Sequence, residues 1–96
     1  MNEEKRYHFM CERIKEHADS VIRAIREKNL GYAACSNLVE QYMYFCKGCI
    51  YVCKCFSEIT SNQARDLNER VIKLVALMNE TICREVLHED CSSCMR

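Results

Sequence analysis

The sequence predicts an all-α fold, an up-down-up antiparallel helical bundle completed by oligomerisation. Three observations carry that expectation. Pro is absent and Gly occurs only at Gly31 and Gly48. Three long stretches repeat apolar side chains at spacings of three and four, the signature of amphipathic helices. The middle stretch carries more apolar surface than two neighbouring helices can cover. A β-rich domain needs turn residues every ~8–12 positions, and this chain lacks them. Its 96 residues form one domain, 1–96, near the size at which a single core is only just sufficient.

The first helix is expected over about 3–28. Tyr7, Cys11, Ile14, Ala18, Val21 and Ile25 form its seam, and Gly31 fits the left-handed residue that closes a helix. The second is expected over about 32–57. Its main seam is Cys35, Leu38, Tyr42, Phe45, Cys49, Val52 and Phe56, with a parallel row of Val39, Tyr42, Cys46, Cys49 and Cys53. The third is expected over about 61–89, opened by a Thr60–Gln63 capping box, with Leu67, Val71, Leu74, Met78, Ile82 and Val86 on its core face.

Charge removes several function classes. The 14 basic residues balance the 14 acidic ones, and the balance holds along the chain: seven against six in 1–28, two against two in 29–60, five against six in 61–96. A nucleic-acid partner calls for a basic stripe, because counterion release from phosphates drives its affinity, so none is expected. The longest apolar stretch, Tyr42 to Phe56, includes Lys47, Gly48 and Lys54 and is shorter than the ~20 residues of a membrane span. The opening residues Met-Asn-Glu-Glu-Lys-Arg lack the apolar run of a secretory signal. A cytoplasmic location is the expectation.

Nine cysteines among 96 residues are the unusual feature. In a short secreted chain that density marks a disulfide scaffold. The odd count and the reducing surroundings expected here point instead to free thiols or metal. Cys46, Cys49 and Cys53 lie three and four apart and so share one helical face. Antiparallel pairing about 29–31 brings Cys11 level with Cys49, making Cys11, Cys46, Cys49 and Cys53 one candidate cluster. Pairing about 59–60 brings Cys35 near Cys83, with His88, Cys91 and Cys94 following toward the same end, a second candidate cluster. Cys55 faces away from both.

Soft thiolates select Cu(I) or Zn(II) over hard ions. Cu(I) is satisfied by two or three sulfurs, so it suits the mid-helix row. Zn(II) wants four ligands around a turn, so it suits the Cys91/Cys94 pair better. Lys47 and Lys54 stand close enough in sequence to favour thiolates nearby. The bland reading is that Cys packs as a small hydrophobe, which accounts for Cys11 and Cys35 as single seam positions. The aromatic group Tyr42, Tyr44, Phe45, Tyr51 and Phe56 reads as core or oligomer interface. His17 reads as a surface residue without a nearby Cys, and His8 and His88 as candidate ligands. Glu85-Val-Leu-His88 matches one Glu-x-x-His of di-iron bundles but has no inward Glu partners.

The run Cys46-Lys-Gly-Cys49-Ile-Tyr-Val-Cys53, in a helical chain without Pro, resembles the cysteine-rich four-helix-bundle copper-storage family. That resemblance implies Cu(I) held by inward-pointing thiols, with Cys46, Cys49 and Cys53 in that role and Cys91/Cys94 similar in spacing. The chain departs from the family in carrying one cysteine in its first helix and three helices in place of four. The copper-sensing helical repressors are a poorer comparison, since their Cys…His-x-x-x-Cys set is missing.

The expected function is therefore a non-enzymatic, homo-oligomeric helical bundle that sequesters Cu(I). The alternative is a helical interaction module with buried structural cysteines and a Cys91/Cys94 pair that binds zinc or forms a disulfide. A redox or di-iron enzyme ranks third.

Overall fold

The computed structural model describes residues 2–88. They form three helices, α1 (Glu3–Glu27), α2 (Tyr32–Cys55) and α3 (Ser61–Glu85), and no strand. The up-down-up order follows from two short connections. None of the described helices is long and apolar enough to cross a membrane.

Local chemistry sets each boundary. Asn2 caps α1, its Oδ1 accepting from the Lys5 N–H at 2.8 Å, and Glu3 and Glu4 oppose the positive end of the helix dipole. Thr60 and Gln63 form the expected capping box at α3, with two reciprocal bonds of 3.0 Å. At the end of α2 the Ser57 N–H donates to the Lys54 carbonyl and the Glu58 N–H to the Cys53 carbonyl, the Schellman pattern, with Ser57 left-handed at φ 57. The expectation for Gly31 is corrected. Asn29, at φ 50, is the left-handed residue after α1, whereas Gly31 is the extended N-cap of α2. Asn tolerates that conformation because its short polar side chain bonds locally.

The core joins Met10, Ile14, Ala18, Val21 and Ile25 of α1 to Leu67, Val71, Met78 and Ile82 of α3. The α2 contribution is Cys35, Val39, Tyr42, Cys46 and Ile50. Of the seam expected to be its main one, only Cys35 and Tyr42 are buried, and Phe45, Cys49, Val52 and Phe56 face outward. The parallel row won because α3 packs against both other helices, while α1 and α2 touch each other less and part into an open groove. The Tyr42 hydroxyl, within the core, donates to the Ile14 carbonyl at 3.0 Å, so the buried phenol has its acceptor.

A polar clamp ties α1 to α3. The Tyr7 hydroxyl donates to the Asp66 carboxylate. Arg70 donates to Asp66 at 2.9 Å and to the Tyr7 oxygen at 3.4 Å. The Tyr7 bond first, then Arg70, holds the Asp66 carboxyl below its ordinary value of 3.8. A carboxyl depressed by folding adds stability that is present above its unfolded pKa and is lost as pH falls through its folded one. Unfolding by urea, compared at pH 7 and pH 3, is therefore expected to show a larger acid-induced loss in the native chain than in Asp66→Asn. Equal losses would remove the clamp from the pH dependence.

Candidate functional site: a thiol groove beside an uncovered helix face

Between α1 and α2 lies an open groove of about 630 Å³. Met10 and Ile14 of α1 and Phe45, Cys46, Cys49 and Cys53 of α2 line it, with Arg6, Arg13 and His17 at its edges. The three cysteines expected to act together thus border one cavity, but to different depths: Cys46 is buried, Cys53 half-buried and Cys49 exposed. All three are free thiols. Among the described residues, no group of three or more His, Cys, Asp or Glu side chains is gathered in a way that could hold a metal ion.

Electrostatics favours the neutral thiol. Burial pushes the Cys46 thiol up. Burial, then the hydrogen bond to Glu58, pushes Cys53 up. Lys47 and Lys54 do not offset this, because they stand on the α3 side of α2, where they line a different cavity. The expectation that they favour thiolates in this row is corrected accordingly.

Cys11 does not join the row. It packs at the edge of the core beside the clamp, interacting with Tyr7 and Arg70. Level pairing did not fix the azimuth: Met10 and Ile14 are the α1 residues that line the groove with α2, and Cys11 lies further round toward Tyr7 and Arg70. Cys35 is fully buried, its thiol pushed up by burial, and it packs as a small hydrophobe with a weak contact of 3.9 Å to the Leu30 carbonyl. Cys83 is buried and disulfide-bonded, and so is not a thiolate in the second expected cluster. His88 is exposed, beyond the end of α3. Cys91 and Cys94 lie outside the described residues. His8 pairs with Glu4 at 3.2 Å on the surface of α1.

His17 is exposed, as expected of a surface residue, but its place beside the thiols was not anticipated. It sits edge-on to Tyr42 and Phe45, ring centroids 5.1 and 5.6 Å away, and borders the same groove as the thiols. The sequence offered one signal, that residue 17 stands about one turn from the seam residue Ile14.

The groove opens onto the outer side of α2. Phe45, Val52 and Phe56 are 62%, 52% and 75% exposed, and Tyr44 and Tyr51 are exposed beside them. No protein family, curated protein or solved structure matches this chain. The residues themselves carry the functional reading. Gly48 lies at the middle of this outer strip, and a methyl group added to it would meet nothing within 4 Å. Mid-helix Gly costs roughly 0.5–1 kcal/mol relative to Ala, and nothing within the chain requires it. Cys55 is exposed on the same side and hydrogen-bonds with Tyr51. From Tyr42 to Phe56 the only charges are Lys47 and Lys54, both turned toward α3.

Proposed function

We propose that this chain is a helical interaction module that self-associates through the outer face of α2. The observation that carries this reading is the uncharged strip of Phe45, Val52, Phe56, Tyr44 and Tyr51 around Gly48. Phe45, Cys49, Val52 and Phe56 repeat at four, three and four, the spacing with which one helix seats its knobs between those of another. A second copy presents the same seam, and a two-fold pairing makes it self-complementary.

Charge favours a second copy over an acidic or basic partner. At the groove edge Arg6 is matched by Glu58 at 3.3 Å and Arg13 by Glu16 at 3.2 Å. The rim therefore needs no opposite charge from its occupant, and an uncharged seam fits it. Gly48 allows close approach of the two helix backbones.

Gly48→Ala separates association from folding. The substitution is expected to raise the stability of the single chain by about 0.5–1 kcal/mol while weakening association several-fold, read by urea unfolding and by sedimentation across a concentration series. Association left intact or strengthened would take Gly48 out of the contact. A native chain that stays monomeric at every concentration, and instead co-sediments with anionic vesicles, would replace this reading with a membrane-surface one.

A second reading has its own support. Cys46, Cys49 and Cys53 border one groove as free thiols, and a pair of sulfurs one turn apart is enough for Cu(I). This is a small soft-metal site with two sulfurs and no enclosed multinuclear core. Thiols give up protons as metal enters, so uptake falls as pH is lowered. Titration of the reduced chain with Cu(I) against a chromophoric chelator is expected to give about one tight equivalent, lost in Cys49→Ala/Cys53→Ala and retained in Cys11→Ala. Equal uptake by the double variant would move the metal elsewhere.

A further inference from the structure

A second cavity, of about 710 Å³, lies between α2 and α3. Its edges carry three cations, Lys47 and Lys54 from α2 and Arg65 from α3. None of the three takes part in an ion pair among the described residues, and Arg65 donates only to the neutral Asn62. Glu69 is the one carboxylate in the lining. Unlike α1, α3 has no acidic residue in its first turn, so the positive end of its dipole adds to the same field. In a chain of net charge zero this is a local concentration of positive potential over an apolar floor of Ile50, Ala64 and Ile72.

Helix chemistry alone explains part of the arrangement. Lys54 sits in the last turn of α2, where a cation complements the dipole. Lys47 is mid-helix and gains nothing that way. Arg65 stands near the positive end of α3, where a cation is disfavoured. Two helices thus direct cations at one cavity, and the helix dipoles favour only Lys54 there.

We propose that this cavity binds a dianionic phosphomonoester bearing a small apolar or aromatic group. Three cations and one carboxylate leave a lining charge of two, which matches a phosphate dianion better than a carboxylate. The guanidinium of Arg65 suits two phosphate oxygens at once, and the ammonium groups of Lys47 and Lys54 supply point charges on the opposite wall. The organic part rests on Ile72 and the exposed ring of Tyr51. The N–H of Gln63 is already taken by the Thr60 hydroxyl, so side chains do the holding. The site lies on the far side of α2 from the thiol groove, and its three cations are not part of the proposed self-association strip, which it meets only at Tyr51.

Titration of the isotopically labelled full chain with phenyl phosphate, inorganic phosphate and benzoate, at constant ionic strength set by potassium chloride, tests this by backbone amide shifts. The expected order is phenyl phosphate, then inorganic phosphate, then benzoate, with shifts confined to residues around 47–54 and 61–72. Lys47→Gln/Arg65→Gln, checked for native dispersion of its spectrum, is expected to weaken phenyl phosphate by about tenfold or more. Glu69→Gln is expected to tighten it roughly threefold, a gain that a purely structural role would not produce. Shifts scattered over the surface, benzoate binding as well as phenyl phosphate, or a double variant that binds unchanged would each overturn the proposal.

Discussion

If the proposed association through α2 is right, Val52→Glu is expected to leave a folded monomer. Val52 is 52% exposed, so the single chain loses little, and its helical signal and urea midpoint should stay close to native. In the associated form the carboxylate would sit inside the uncharged strip, flanked by Phe45, Cys49 and Phe56, with no cation on that side of α2. An unpaired charge buried in this way costs about 3–5 kcal/mol, and a two-fold pairing meets it twice. The dissociation constant should rise by at least about 100-fold, read by sedimentation velocity across a concentration series. Val52→Leu, of similar shape and no charge, should restore association. A Val52→Glu chain that associates like the native one would remove the α2 face from the interface.

Leu67→Ala carries the largest expected effect on folding. Leu67 is 0% exposed in the second turn of α3, the helix that packs against both others, so the space it leaves is walled on two sides. Leu→Ala at such a site costs about 2.7–5 kcal/mol, the upper part applying where neighbours do not collapse into the void. A domain of this size has only about 5–10 kcal/mol in total, so the variant should be partly unfolded at 37 °C, with a broadened thermal transition. A loss under about 1 kcal/mol would mean that the core around Leu67 relaxes freely. The corresponding truncation at exposed Ile72 should cost far less.

Much of the fold was legible because helix periodicity and capping are local. The Thr60–Gln63 box, the seam from Ile14 to Ile25 and the core face from Leu67 to Ile82 all follow from neighbours within two turns. What was not legible is which of two competing seams on α2 turns inward. Cys35, Leu38, Tyr42, Phe45, Cys49, Val52 and Phe56 form the better repeat, yet beyond Cys35 and Tyr42 the buried residues are Val39, Cys46 and Ile50. That choice depends on how closely α1 approaches α2, a tertiary quantity that periodicity does not encode. The same limit governs the thiols. Spacing placed Cys46, Cys49 and Cys53 on one groove, but depth differs along it, and the azimuth of Cys11 was set by Met10 and Ile14 occupying the α2-facing side. At the first turn Asn29 took the left-handed role that Gly31 also suited, because the chain closed α1 two residues earlier.

The bond from the Tyr42 hydroxyl to the Ile14 carbonyl has a mechanical consequence. A slide of α2 along α1 by part of a turn, 5.4 Å in full, would take the buried phenol away from the Ile14 carbonyl, at a cost of about 1–3 kcal/mol. This single peg therefore latches the two rods at one offset, even though their sides stand apart. The lengthwise offset of the two walls of the gap is set in advance, before any guest arrives to fill it.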